Sequence, residues 1–99
     1  MPEPVGRRPV LLLSRDRAHE YLTRVIVVEI TSTIRDIPVE VDLGTAEGLR
    51  HRCVANFDKV HVVAKQRLLT RIGALRARRI AEVKRALGYA LDWPELKAV

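Results

Sequence analysis

This sequence has few of the residues that form covalent crosslinks or metal sites, and it has no long apolar run. It has a single cysteine, Cys53, so no disulfide can form within the chain and a metal site with several cysteines is excluded. Its three histidines show none of the spacings that hold zinc in metallohydrolases. The longest purely apolar runs, at 10–13 and 25–28, fall far short of the roughly 20 residues that cross a bilayer. The sequence therefore favours a protein of the reducing cytoplasm.

Negative charge and aromatic side chains are also scarce. The 12 Asp and Glu residues stand against 18 Lys and Arg, which gives a net charge of +6. This excess predicts an anionic partner, and it leaves open nucleic acid, an acidic protein or a membrane surface. Aromatic residues make up only 4% of the chain, so base stacking is not expected to dominate binding. Hydrophobic residues reach 47%, which is enough for the core of one domain of 99 residues.

Most of the chain has the sequence pattern of β-strands. The run at 25–31 is β-branched at almost every position, and residues 39–43 alternate between apolar and polar, which predicts one buried and one solvated face. Asp58 and Lys59 interrupt a longer run, where we expect a bulge or a polar break. The predicted strands are residues 10–14, 25–31, 39–43, 53–57 with 60–63, and a short final strand at 71–75.

Near the C-terminus the apolar pattern becomes that of a helix. Glu82 lies about one turn from Arg78 and from Arg85 and is expected to pair with one of them. Pro94 cannot continue a helix, so the helix is predicted to end before it. The apolar stripe consists of Ile80, Val83, Leu87 and Leu91, widened by Ala86 and Ala90. We therefore predict a single domain, with a loop at 1–9, barrel strands and connections at 10–75, and a helix at 76–92.

Two arginines precede the first strand. Arg7 and Arg8 lie where a loop leads into an apolar run, and Pro9 fixes the backbone angle at that point. A guanidinium at the mouth of a strand is placed to meet a phosphate, which arginine holds through two parallel hydrogen bonds. Taken alone, a solvated pair of surface charges is the simpler interpretation.

Three hydroxyl residues follow the second strand. Thr31, Ser32 and Thr33 come at the end of the β-branched run, and Arg35 follows them. Hydroxyls and exposed amides at a strand end bind phosphate or ribose. A hydrophilic turn is the alternative interpretation, because Ser and Thr are common in turns.

Three other polar residues lie inside predicted strands. Cys53 is expected to be a small core residue rather than a reactive thiol. His61 alternates with valines and is expected on a half-solvated face. Glu29 interrupts an apolar run, and it either points to solvent or neutralises an arginine in a site.

Taken in order, these segments resemble the MazF/PemK family of toxin–antitoxin endoribonucleases. The resemblance runs from about residue 6 to residue 94, and it is the ordered set of segments that is specific, since no single motif is. The segments that carry it are residues 8–14, 27–35, 39–41, 54–60 and 71–75, and the helix that ends in Leu91, Asp92 and Trp93.

The resemblance implies a mostly β fold with a C-terminal helix: a small SH3-like barrel of the PemK/CcdB-like type, usually a homodimer. It also implies cleavage of single-stranded RNA without a metal or other cofactor, and restraint by a cognate antitoxin that covers the RNA site. The family's catalytic arginine corresponds to Arg8 and its catalytic threonine to Thr31. The residues then expected to bind RNA are Arg7, Ser32, Thr33, Arg35 and Lys59.

RNA chemistry explains why such a pair suffices. RNA carries its own nucleophile, the 2′-hydroxyl, whose attack on the neighbouring phosphate leaves a 2′,3′-cyclic phosphate. Negative charge builds on the phosphate oxygens in the transition state, and losing one preorganised donor to such charge costs about 3–4 kcal/mol. Arginine is a poor general base because it stays protonated. Arg8 is therefore assigned charge stabilisation first and proton donation to the leaving oxygen second.

Three features depart from the family pattern. Members usually open with a strand of the type R-G-x-[IV]-W, whereas this sequence begins in the loop that would follow. Either the recorded start is too late, or the barrel lacks its usual first strand. Many members have serine at Cys53, and Asp-Gln or Glu-Gln at Asp58 and Lys59, which suggests an altered cleavage preference or weaker activity. The helical segment 76–85 is unusually basic, which suits RNA or an acidic antitoxin tail.

Two other functions stay open. A toxin of the same fold that binds a protein, as CcdB-like relatives bind DNA gyrase, predicts growth arrest with RNA left intact. An inactive basic module that binds RNA or DNA predicts salt-sensitive binding without cleavage. The combination of Arg8 and Pro9 with Thr31 favours the ribonuclease, and the absent strand is the best argument for the inactive module.

Overall fold

A computed structural model describes residues 8–13, 23–68 and 71–99, and the expected absence of a first strand falls on residues outside these ranges. Four antiparallel strands form one sheet in the order β1-β2-β4-β3, and helices follow them. The elements are β1 (Val10–Leu12), β2 (Arg24–Thr31), β3 (Glu40–Leu43), β4 (Cys53–Ala64), α1 (Ile80–Leu91) and the short α2 (Pro94–Lys97). The predicted mostly β fold with a C-terminal helix is confirmed.

Strands β2 and β4 form the centre of the sheet. Val27 and Val28 point to opposite faces of β2, and both are buried, which explains the unbroken β-branched run. Strand β3, at the edge, alternates as predicted, with Val41 and Leu43 buried and Asp42 exposed. The core therefore draws on β3 as well as on the two central strands.

A bulge interrupts the pairing of β2 with β4. Val28 pairs with Val60 and Glu29 pairs with Asn56, so the β4 residues between Asn56 and Val60 have no partner in β2. The buried side-chain oxygen of Asn56 accepts a hydrogen bond of 2.9 Å from the amide of Asp58, which satisfies the backbone inside the bulge. The predicted polar break is confirmed as a bulge within one continuous strand.

Helix α1 covers one face of the sheet. Its apolar stripe is confirmed at Val83 and Leu87, which pack with Ala86 against the core, whereas Ile80 and Leu91 at the two ends are exposed. The helix begins later than predicted because Ala77–Arg79 form a 3₁₀ turn before it. The buried residues that it meets are Val28, Val41, Leu43, Ala55 and Phe57.

Arg79, the last residue of that turn, joins α1 to the loop between β3 and β4. Its Nε and one Nη each donate a hydrogen bond of 2.8 Å to the carboxylate of Glu82. The other Nη donates to Glu47 at 3.1 Å, and the backbone oxygen of Asp42 accepts a further bond of 2.5 Å. The side chains of Arg79 and Glu47 are only 16% and 12% exposed. We call Arg79, Glu47, Glu82 and the Asp42 carbonyl the Arg79 anchor.

The anchor corrects the predicted pairing of Glu82. The sequence predicts a pair with Arg78 or Arg85, but the hydrogen-bonded partner of Glu82 is Arg79. The hydrogen bond from Arg79 lowers the pKa of Glu82, and the same bond raises the pKa of Arg79. The prediction is wrong because helical spacing does not show that Arg79 also donates to Glu47 and to the Asp42 carbonyl, which are distant in sequence.

The prediction of a final strand at residues 71–75 is also wrong, because the structure has no strand there. This segment packs backbone to backbone against the turn Thr45–Glu47. A Cβ on Gly73 would lie 2.0 Å from the carbonyl oxygen of Glu47, and one on Gly48 would lie 2.4 Å from that of Ile72. Gly48 also has a φ of +94°. Because glycine has no Cβ, the two backbone segments can lie closer together here than residues with side chains would allow.

Candidate active site

A groove of about 800 Å³ lies at one end of the sheet, where β2 ends and β4 begins. Because the two strands are antiparallel, the chain leaving β2 and the loop entering β4 meet at this end, and the residues before β1 join them. The polar side chains that line the groove are Arg8, Thr31, Ser32, Thr33, Arg50 and His51. Four of the predicted site residues are therefore brought together.

The two predicted catalytic residues line the same groove, at the ends of neighbouring strands. Val10 of β1 pairs with Glu29 of β2, and the amide of Ile30 donates to the carbonyl of Pro9 at 3.3 Å. Arg8 lies two residues before the first paired residue of β1, and Thr31 lies two residues after Glu29. The pairing of β1 with β2 therefore brings both residues to the same end of the sheet.

The Thr31 hydroxyl is held in a short turn at the end of β2. Its Oγ1 accepts a bond of 3.1 Å from the amide of Thr33. This bond does not use the hydroxyl hydrogen, which can therefore be donated to a ligand. The hydrophilic turn that the sequence predicts as an alternative is therefore present. It does not exclude a phosphate site, because the turn holds the Thr31 hydroxyl in one position.

Two residues of the groove were not predicted as site residues. Arg50 and His51 lie in the loop that enters β4, next to Arg52 and the first residue of the strand, Cys53. The sequence feature that could have indicated them is the run of three basic residues at 50–52, before a strand. This run points to a site only when β4 is known to begin beside the end of β2. Cys53 is buried as predicted, but it also lines the groove.

The charge of the groove suits an anion. Among the described residues that line it, none is acidic, and Arg8 and Arg50 supply positive charge. Arg52 is directed elsewhere, since its guanidinium bonds to Asp42 at 3.3 Å. The groove therefore concentrates cations and hydroxyls without carboxylates to neutralise them.

Two of the predicted RNA-binding residues, Arg35 and Lys59, are not among those that line the groove. The backbone amide of Arg35 donates to the Glu40 carboxylate at 3.1 Å, and its side chain is exposed. Lys59 is exposed in the bulge of β4, and Arg7 lies outside the described residues. Their roles in RNA binding stay predictions.

Glu29 and His61 form a separate pair away from the groove. The carboxylate of Glu29 contacts Nε2 of His61 across the two central strands. His61 is half exposed, as predicted. The open question about Glu29 is thereby answered, since its described partner is this histidine and not an arginine.

Two further properties bear on function. In residues 8–13, 23–68 and 71–99, no group of three or more His, Cys, Asp or Glu side chains is placed to hold a metal ion. Over the same ranges, no helix has the length and apolar character needed to cross a membrane.

Known proteins share both the sequence and the fold. Residues 1–91 match the family described as "PemK-like, MazF-like toxin of type II toxin-antitoxin system". The probable endoribonuclease MazF5 of Mycobacterium tuberculosis is 38% identical over 89 residues, covering 89% of this chain and 82% of that relative. Endoribonuclease MazF9 of the same species is 35% identical over 97 residues, covering 91% and 82%.

Solved structures agree with these relatives. The Mycobacterium tuberculosis toxin MazF-mt6 superposes with a TM-score of 0.83 at 34% identity, covering 86% of each chain. An endoribonuclease in complex with its cognate antitoxin, from a mycobacterial species, gives a TM-score of 0.78 at 26% identity and covers 94% of this chain and 88% of that one. The match in sequence, in fold and in the order of segments confirms the resemblance, and this chain belongs to the PemK-like, MazF-like family of type II toxin–antitoxin toxins.

Proposed function

We propose that this chain is the toxin of a type II toxin–antitoxin pair and acts in the cytoplasm as a metal-independent endoribonuclease on single-stranded RNA. The observation that supports the proposal is that Arg8 and Thr31 both line one groove, whose described lining has no acidic residue. Relatives at 35–38% identity over most of the chain are named endoribonucleases, which supports it.

The proposed reaction uses the RNA's own nucleophile. A phosphate bound between Arg8 and Thr31 meets a bidentate guanidinium on one side and a donated hydroxyl hydrogen on the other. Attack of the 2′-oxygen on phosphorus forms the 2′,3′-cyclic phosphate and releases the 5′-oxygen of the next nucleotide. Both side chains stabilise charge that develops in the transition state, where preorganised donors act most strongly. Proton donation to the leaving oxygen is a second role proposed for Arg8.

Binding is proposed to rely on phosphate and ribose contacts. Ser32 and Thr33 are exposed beside Thr31, and Arg50 lies across the groove from them on the β4 loop. Few aromatics are available to stack on bases, so salt should weaken binding strongly. The cations proposed to extend the contact beyond the described groove are Arg7, Arg35 and Lys59.

Two protein partners belong to the proposal. A cognate antitoxin is proposed to cover the groove, and a segment rich in acidic residues would match its charge. A second copy of the chain is proposed to cover an apolar surface that includes Ile26, Val60 and Leu91, which line one hollow, and Val62, which pairs with Ile26 and is 60% exposed. Light scattering should give twice the monomer mass for the wild type and a lower mass for Val62→Lys.

The test is incubation of purified protein with single-stranded RNA in EDTA, with the product ends mapped. We expect discrete cuts with cyclic phosphate ends, and no cut where the nucleotide before the scissile bond is replaced by its 2′-deoxy form. Arg8→Ala should abolish these cuts. Arg24→Ala is the matched control, because Arg24 is an exposed arginine at the opposite end of β2.

Each failure has a distinct meaning. Growth arrest by the wild type with RNA left intact would overturn the ribonuclease in favour of a toxin with a protein target. Salt-sensitive RNA binding without cleavage, by folded protein, would favour the inactive binding module.

A further inference from the structure

The proposed reaction needs a group to take the proton of the 2′-hydroxyl. Arg8 and Arg50 stay protonated, and the hydroxyls of the groove are weak bases. Among the described side chains of the groove, His51 is the one whose type ordinarily titrates near neutral pH. Cys53 is buried, and its Sγ donates to the backbone oxygen of His51 at 3.5 Å.

The contacts of the His51 ring indicate which nitrogen carries the hydrogen. Its Nδ1 lies 3.2 Å from the backbone oxygen of Arg52, which can only accept a hydrogen bond. We assign the hydrogen to Nδ1 on this contact, since the partner of one ring nitrogen sets the tautomer. The nearby sulfur of Cys53, 3.4 Å from Nδ1, accepts weakly in the same arrangement. The lone pair is then on Nε2, at the end of an exposed ring.

We propose that Nε2 of His51 is the general base for RNA cleavage in this groove, a proposal that rests on the proposed ribonuclease function. The 2′-hydroxyl proton passes to Nε2 as the O2′–P bond forms. The P–O5′ bond breaks, and the leaving O5′ takes a proton from Arg8, which regains one from water. The imidazolium of His51 then returns its proton to water, so the enzyme ends in its starting state. A general base must be unprotonated to accept the proton of the 2′-hydroxyl.

His51 is exposed and lines the groove. The ring belongs to the loop that enters β4, and this end of β4 lies beside the end of β2 that carries Thr31. The charged and titratable groups around it are Arg8 and Arg50 in the groove wall, Arg52 next in the chain, and the Cys53 thiol.

The test is a pH profile of single-turnover cleavage over roughly pH 5–9, for the wild type, His51→Gln and His61→Gln. We expect the wild-type rate to rise with pH and level off near neutrality. His51→Gln should lose about 10²–10⁴-fold at the plateau and should lose the rising limb. His61→Gln is the matched control, because His61 is an exposed histidine outside the groove, and its profile should equal that of the wild type.

Two further measurements separate catalysis from structure. Added imidazole should restore cleavage to His51→Ala, which a merely structural loss would not allow. Affinity for an uncleavable 2′-deoxy oligonucleotide should be the same for His51→Gln and the wild type.

The outcomes are distinguishable from those of the ribonuclease proposal. If the wild type cleaves and His51→Gln keeps the rising limb at a similar rate, the general base is not His51 and only this inference is overturned. If the folded wild type does not cleave, the ribonuclease proposal fails and the assignment to His51 falls with it.

Discussion

Two arginines of this small domain have opposite surroundings. The guanidinium of Arg79 is mostly buried and donates to two carboxylates and a carbonyl within 3.1 Å. Arg8 is exposed at the edge of a groove that contains hydroxyls, and none of the described residues forms an ion pair with its side chain. Arginine is thus held by several acceptors in one place, whereas in the other it lines a groove whose described residues include no carboxylate.

The difference shows how charge is divided between stability and function. A buried cation that is hydrogen-bonded to several acceptors joins parts of the chain that are distant in sequence. Removing it leaves buried acceptors without a hydrogen-bond donor. An exposed cation among other cations adds no such bond and favours binding of an anion. We therefore expect substitutions in the groove to lower cleavage and substitutions at the Arg79 anchor to lower stability.

The largest expected effect is in the groove. Thr31→Val removes the donated hydroxyl and keeps the side-chain shape, so we expect a loss of about 10²–10³-fold in cleavage rate. The free energy of unfolding should stay near that of the wild type, as measured by denaturant titration. A Thr31→Val protein that cleaves at the wild-type rate would remove Thr31 from the proposed reaction.

The next largest effect is expected where residues 71–75 meet the loop before β4. Gly73→Ala places a Cβ 2.0 Å from the Glu47 carbonyl oxygen, so one backbone must move, and we expect a loss of about 2–3 kcal/mol in unfolding free energy. Gly44→Ala is the control, because nothing lies within 4 Å of its Cβ position. Equal stability of the two variants would contradict the close packing described for this segment.

Removal of the anchor itself should cost slightly less. Arg79→Ala leaves Glu47, which is only 12% exposed, without its cation, and we expect a loss of about 2 kcal/mol in thermal or denaturant unfolding. Arg78→Ala makes the same change on an exposed arginine of the same turn and should leave stability nearly unchanged. If both variants are equally stable, the anchor does not stabilise the fold.

The smallest effect is the pH dependence of the Glu82 pair. The hydrogen bond from Arg79 lowers the pKa of Glu82 below its ordinary value of 4.5. Its contribution is therefore complete above that value and is lost as the pH falls through the folded-state pKa. Because Glu82 is 41% exposed, solvent screens the pair, and Glu82→Gln should cost about 0.5–1 kcal/mol at neutral pH. The gap in unfolding free energy between variant and wild type should close as the pH falls.

The sequence was most informative where neighbours along the chain decide the structure. The β-branched run of β2, the alternation at Val41 and Leu43, and the helical stripe at Val83 and Leu87 are local patterns, and the structure follows them. Even the bulge of β4 is visible as a polar break between two apolar runs.

Contacts between distant segments were beyond the reach of those patterns. Residues 71–75 have the composition of a strand, but Gly73 instead packs closely against the backbone of Glu47, which is far from it in sequence. A local pattern does not show such a contact. Arg50 and His51 become groove residues only because β4 begins beside the end of β2. The resemblance predicts the roles of Arg8 and Thr31, and the pairing of β1 with β2 explains why both line the same groove.

The most direct test of the division between the two arginines is a crossed comparison of Arg8→Ala and Arg79→Ala. For each variant, RNA cleavage in EDTA and the free energy of unfolding are measured at a temperature where both are folded. We predict that Arg8→Ala loses cleavage at unchanged stability, whereas Arg79→Ala loses stability and keeps most of its cleavage. An Arg8→Ala protein that is folded and still cleaves RNA at the wild-type rate would contradict the account.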